Sequence, residues 1–329
     1  MNTIPLHQLP DKAYIHTLRS MQNYDQLVYS LCSKNTKEAI KSLNLEKGAI
    51  NIYVDNSIEL EICCEESFAL IFYIDYDDSF PNNQIIARED IKVVVDPYGE
   101  SIRWESNFQN FGLKEYLHHF CEVLRRPKIC VLLFSGENLD ESFIEPIQKS
   151  IEGFQIEVLS ISDDLTPEFA QKALESFSNY EDLYFDVIPC ESHKVYEMDK
   201  YLIQNLMLVS FPDRGETKID QVLVSNSEEI SLRVPNFSEK DLNRFLKLWV
   251  RGSNPRLKYF YTVRQRPFGR DSLDMNLVLK GIKSNQIPLD SEEVHRRTKL
   301  AGGYRIWSFN GTTAVIMPRP QGQFELIVE

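Results

Sequence analysis

The spacing of apolar residues changes character twice along the chain, and each change predicts a different kind of element. In the first forty-five residues the apolar positions recur at threes and fours: Ile15, Leu18 and Met21, then Leu27, Val28, Leu31 and Cys32, then Ala39, Ile40 and Leu43. This spacing predicts three short helices, the third capped by Ser33, Asn35 or Thr36. Ahead of them, Pro5 and Pro10 bracket Leu6 and Leu9. Proline fixes φ and donates no backbone hydrogen bond, so an extended arm leading into a first helical turn is expected. A module this small buries too little surface to be secure without a disulfide, a metal or a partner. The arm is therefore read as a docking surface, with packing onto the rest of the chain as the plainer alternative.

From Ile50 the period falls to two. Ile50, Ile52 and Val54, then Ile58, Leu60 and Ile62, then Ala69 to Ile74 predict strands, the first pair joined at Asp55-Asn56-Ser57. A second hairpin is expected from Ile91 to Trp104 across Asp96-Pro97-Tyr98-Gly99. The acidic run Asp75-Tyr76-Asp77-Asp78 lacks the glycine and closing glutamate of a calcium loop and reads as a strand end or solvated loop. Leu113 to Leu124 has a helical stripe that Pro127 stops. Its His118 and His119 point about 100° apart and cannot chelate as an i, i+4 pair would, so they read as surface or satisfied core residues.

From Lys128 strand and helix alternate. Strands are predicted over 129–134, 154–161 and 183–188, with helices over 140–151 and 166–177, and further strands over 206–211, 221–225 and 230–234. A strand roughly every 26 to 28 residues predicts an irregular leucine-rich-repeat-like array. The asparagine ladder of a regular array is missing, so a doubly wound α/β sheet is the rival. Ser238 and Asp241 form a capping box for a helix over 239–251 with Leu242, Phe245, Leu246 and the core residue Trp249 on its stripe. Gly252 suits its left-handed end, and Asn254-Pro255 leads into a strand over 257–263. A helix over 272–282 follows. A hairpin across Phe309-Asn310-Gly311-Thr312, with a third strand over 324–328, then seals the array. The fold class is α+β with α/β, organised as 1–45, a β-rich region with one helix over 46–126, the array over 127–300 and a β-hairpin cap over 301–329.

Composition narrows the possibilities. A 43% hydrophobic and 11% aromatic content excludes general disorder. No run of eighteen apolar residues and no signal-peptide core occurs, so a soluble, intracellular protein, cytoplasmic or nuclear, without a membrane partner is expected. The six cysteines show no zinc-type spacing and read as reduced thiols, mostly buried. Residues 238–329 hold 16 Lys/Arg against 9 Asp/Glu, whereas residues 1–237 hold 20 against 40, so an acidic body carries a basic end. Arg251, Asn254 and Arg256 flank the helix end and are candidate substrate contacts, as are Arg264, Arg266 and Arg270 around Phe268, a set also compatible with nucleic acid. No GxxxxGK, GxSxG or HExxH pattern exists, and no catalytic residue, metal site or cofactor is assigned.

Pro5, Leu6, Leu9, Pro10, Leu18, Met21 and Ser30-Leu31-Cys32-Ser33-Lys34 stand where an F-box places its proline-leucine arm, first-helix residues and serine-leucine-cysteine element. Phe245-Leu246-Lys247-Leu248-Trp249-Val250-Arg251-Gly252-Ser253-Asn254-Pro255-Arg256-Leu257 is similar to the signature of the F-box-associated type 2 domain. Together they resemble the nematode F-box B family. The resemblance implies the substrate receptor of an SCF-type cullin-RING ubiquitin ligase. Such a chain docks on a Skp-type adaptor, and through it on cullin and RING subunits, while holding a target protein for ubiquitination. It would contribute proximity and orientation without bond chemistry. Adaptor contact falls to Pro5, Leu6, Leu9, Pro10, Leu18, Met21 and Leu31. A sequestering, non-degradative binder is the alternative, ahead of nucleic-acid binding.

Overall fold

The computed structural model describes residues 6–45, 48–55, 57–63, 67–73, 90–95, 100–105, 111–137, 139, 141–185, 199–211, 218–233, 237–263, 273–288, 302–319 and 323–329. The acidic run at 75–78 lies outside them. No helix among the described residues is long and apolar enough to cross a membrane.

Three helices open the chain, α1 (Asp11–Arg19), α2 (Asn23–Ser30) and α3 (Lys34–Ser42). The third is capped as expected: the Ser33 hydroxyl accepts from the Thr36 N–H, and Thr36 Oγ1 accepts from the Ser33 N–H at 2.9 Å. The arm differs from expectation. Leu6–Gln8 closes into a 3-10 turn, with the Leu9 N–H on the Leu6 carbonyl at 3.1 Å, because that i to i+3 bond forms before the donor-less Pro10.

Two compact units follow from the packing, residues 1–160 with 172–180, and 161–171 with 181–329. In the first, β1 (Ala49–Val54) and β2 (Ser57–Cys63) pair antiparallel with Ile50 opposite Ile62, Ile52 opposite Leu60 and Val54 opposite Ile58, all buried. Period-two patterning has put one apolar face inward. Asp55 Oδ1 accepts the Ser57 N–H at 2.8 Å and closes the turn. The antiparallel strands β3 (Ser67–Tyr73), β4 (Asp90–Val95) and β5 (Glu100–Glu105) extend this sheet. Helix α4 (Leu113–Val123) leads to β6 (Lys128–Phe134), which joins β1 in parallel, and after a 3-10 turn at Glu141–Phe143 and α5 (Ile144–Ser150), β7 (Gln155–Ile161) is added beside β6. The order is β7-β6-β1-β2-β3-β4-β5, a mixed, open sheet. Helix α6 (Pro167–Ser176) is divided between the units.

The second unit contains β8 (Tyr180–Phe185), α7 (Asp199–Leu202), β9 (Leu208–Phe211), α8 (Ile219–Val224), β10 (Glu229–Arg233), α9 (Glu239–Val250) and β11 (Tyr259–Val263). Its strands β8 to β11 are parallel and sequential, so each helix connects neighbours, as in a repeat stack and unlike the reversed order of a doubly wound sheet. Leu183, Val209, Ile230, Phe260 and Leu326 stand in register and are buried. Phe245 of α9 packs on this row, its ring centroid 4.8 Å from Phe260. A short α10 (Met275–Val278) precedes β12 (Ser284–Ile287), β13 (Gly303–Trp307), β14 (Thr313–Arg319) and β15 (Gln323–Val328). β15 pairs antiparallel with β11, and the order β8-β9-β10-β11-β15-β14-β13-β12 ends in an antiparallel meander, with no closed barrel among the described residues.

Two expected elements are corrected. Of residues 221–225, read as a strand, 221–224 belong to helix α8: Ile219 and Val222 share a buried face at helical spacing, and Gln221 Oε1 accepts the Lys218 N–H at 2.8 Å to cap the first turn. Its valines favour a strand locally, and packing plus capping override that preference. The helix expected over 272–282 shrinks to α10, because Gly281 at φ +74° turns the chain out and Ser284–Ile287 pairs with β13.

Candidate functional site

Of the seven residues expected to touch an adaptor, the structure turns two inward. Leu18 is fully buried and Leu31 nearly so, alongside Leu27 and Ile40, so both hold the shape of the three-helix module and do not line its surface. Pro10 is exposed, and Leu6, Leu9 and Met21 are half-buried; Pro5 lies outside the described residues. Half-buried Ile15 lines, with Asp11, Lys12, His16 and Arg19 of α1, an open concavity of about 420 Å³. Gln26, in the polar stretch Tyr24-Asp25-Gln26, is buried with a structural task. Its Nε2 donates to the Leu18 carbonyl at 2.8 Å and the Met21 carbonyl at 3.1 Å, fastening the end of α1 to α2.

This module is clamped to α4. The buried Ser30 hydroxyl lies 2.8 Å from His119 Nε2. Glu122, one helical turn on, accepts from Lys37 and, at 3.2 Å, from Lys41. The Arg125 guanidinium reaches the Lys41 carbonyl at 3.5 Å. Hydrogen bonds from Lys37 and Lys41 hold the Glu122 carboxyl below its ordinary range, although such solvent-facing pairs are individually weak. Burial pushes His119 down to about 4, with the Lys37 charge adding to it and Glu122 opposing. Of the two histidines, His119 is thus the satisfied core residue, while His118 is exposed against Phe154.

A pH dependence follows. The unfolded imidazole takes a proton near pH 6.5 and the folded one only near 4, so the unfolded state binds more protons between those values and stability falls as pH drops through that window. By pH 5 the loss is roughly 2 kcal/mol. Urea midpoints at pH 7.5 and 5 should show a drop that His119→Asn reduces. An equal drop in the variant would place the titration on another group.

The Arg251 to Arg256 turn divides its residues between two tasks. Helix α9 starts at Ser238, whose Oγ accepts the Asp241 N–H at 3.2 Å, and ends at Gly252 with φ +99°. Asn254, at φ +52° and buried, donates its amide to the Val222 carbonyl at 2.9 Å and the Ser225 carbonyl at 2.7 Å. It stitches successive turns of the stack together. Asn254 therefore faces inward. Arg256 is half-buried and pairs with Glu228 at 3.4 Å, which also takes Lys258 at 2.6 Å. Arg251 is exposed and has no partner among the described residues. Arg264, Arg266 and Arg270 lie outside those residues.

Of the described cysteines, Cys121 and Cys130 are buried free thiols, Cys63 is half-buried and Cys32 exposed; burial pushes Cys121 up to about 12. Among the described residues, no group of three His, Cys, Asp or Glu side chains is gathered to hold a metal ion.

Comparison with known proteins bears on both regions. Residues 6–48, which span α1 to α3, match the F-box domain family, and residues 197–262, which include the Asn254 turn, match the F-box associated family. Over 257 residues, 78% of this chain and 77% of the relative, the chain is 25% identical to the F-box associated domain-containing protein sdz-33 of Caenorhabditis elegans. No solved structure matches the chain.

Proposed function

Because the chain carries an F-box followed by an F-box-associated domain, we propose that it is the substrate-receptor subunit of an SCF-type ubiquitin ligase. The observation that carries this reading is the F-box match over three helices, in and beside which Pro10 is exposed and Leu6, Leu9, Ile15 and Met21 are half-buried. Those side chains form the contact to a Skp-type adaptor, and cullin and RING subunits follow through the adaptor. The F-box-associated domain offers the surface for a target protein. The chain then raises the local concentration of target lysines near a charged conjugating enzyme and makes or breaks no bond itself.

Coexpression with a Skp-type adaptor tests the first step. Wild type should copurify stoichiometrically, and Leu9→Asp should weaken the complex by roughly tenfold or more with little change in melting temperature, since Leu9 is only half-buried. Absence of a wild-type complex would remove the reading. Measuring the half-life of the captured partner with cullin neddylation blocked separates degradation from mere sequestration.

A further inference from the structure

We propose that the helix-to-strand turns of the second unit, with the tip of the β13–β14 hairpin beside them, form a docking edge for a segment of a partner protein that carries an aromatic or aliphatic anchor beside acidic residues. This deepens the receptor reading by naming the chemistry of the target. Five large hydrophobic side chains are exposed among the described residues, and all belong to this unit. Isolated exposed leucines or valines are ordinary. Here four of the five, Ile203 at 59%, Met207 at 53%, Val224 at 37% and Phe309 at 75% exposure, fall on turns that hydrogen bonds join in succession.

The connections can be followed turn by turn. The Asn226 N–H donates to the Leu202 carbonyl at 2.9 Å, and the Glu229 N–H to the Met207 carbonyl at 2.7 Å, which places the turn after α8 against the turn after α7. The Asn254 amide ties the turn after α9 to Val222 and Ser225. The Phe309 N–H then donates to the Val250 carbonyl at 2.8 Å and sets the β13–β14 hairpin beside the end of α9.

Phe309 is held in place despite its exposure. Its ring lies against Gly252, where any Cβ would collide with it, and Asn310 Oδ1 accepts the Thr312 N–H at 3.0 Å to fix the hairpin tip. An aromatic already immobilised at the surface loses little entropy on binding and suits the role of an anchor. The charge beside it is positive. Arg251 adjoins Gly252 without a partner among the described residues, and Arg256 and Lys258 share the single carboxylate of Glu228. On a chain of net charge −13 this edge is where an acidic segment meets attraction.

The test pans a displayed library of random peptides against the full-length chain, then measures affinity for the enriched sequences. The expected result is a motif with a large apolar residue next to Asp or Glu, weakened roughly tenfold or more by Phe309→Ser and by Arg251→Glu at unchanged melting temperature. Met207→Ser gives a second apolar probe, should removal of the Phe309 ring disturb the hairpin. Failure to enrich a motif, a basic motif, or binding insensitive to all three variants would overturn the proposal. So would concentration-dependent self-association that Phe309→Ser abolishes, since a second copy would then be the occupant. Adaptor copurification is measured on the same variants and should not change. Failure of wild type to bind the adaptor, with the peptide result intact, would remove the receptor reading alone.

Discussion

Leu18→Asp is expected to unfold the N-terminal module, whereas Leu9→Asp should leave it folded and strip only its adaptor contact. Leu18 is fully buried, and its carbonyl and that of Met21 anchor the Gln26 amide. Removing a buried leucine costs about 2–5 kcal/mol through lost transfer energy and the residual cavity, and a carboxylate placed there must either be protonated or stay unpaired. The combined penalty is roughly 5 kcal/mol, comparable to the whole stability of many domains. Limited proteolysis and far-ultraviolet circular dichroism should show residues 6–45 cleaved rapidly and their helical signal lost. Wild-type protection in Leu18→Asp would mean that Leu18 does not pack as described. Loss of adaptor binding by this variant would therefore report folding and not contact, which makes Leu9 the informative surface substitution.

Asn254→Ala should destabilise the second unit by about 3–4 kcal/mol. Two hydrogen bonds across the stack disappear; the Val222 carbonyl keeps the Ser225 N–H at 3.3 Å, while the Ser225 carbonyl loses the amide. An unpaired buried acceptor costs about 1–3 kcal/mol beyond the lost bonds, and alanine tolerates φ +52° worse than asparagine by roughly 1 kcal/mol. Asn254→Gly relieves the backbone part alone, so it should fall between wild type and alanine in urea unfolding. A midpoint for alanine within experimental error of wild type would show that the stitch carries no weight. Asn254 thus shapes the turn from inside, whereas Arg251 is exposed.

The elements with long, clean periods were readable from the sequence. Residues 50–54 and 58–62 alternate without interruption, and α9 combines a full apolar stripe with a serine cap and a terminal glycine. Short elements were not, because four to six residues contain too little period to outweigh composition; α8 reads as a strand and β12 gives no signal for that reason. An apolar stripe also leaves open whether it faces the chain's own interior or a partner, so the inward placement of Leu18 and Leu31 needed the fold. His119 and Ser30 lie 89 residues apart, and the Asn254 acceptors lie 29 and 32 residues upstream. Pairings at that range leave no local signal. Phe309 was visible only as the first residue of a hairpin tip; the place of its ring depends on the missing Cβ of Gly252.

The clamp between α2, α3 and α4 has a bearing on modularity. An F-box is commonly pictured as a detachable plug, with the chain cut just after its third helix. In this protein the last polar contacts of the plug are Ser30, Lys37 and Lys41, and their partners His119 and Glu122 come some eighty residues after that cut. A transplanted module would arrive with a buried hydroxyl facing a foreign surface, and the parent would keep a buried imidazole with its partner gone. Residues 6–45 and helix α4 are thus one structural piece, and a cut between them severs these contacts on both sides.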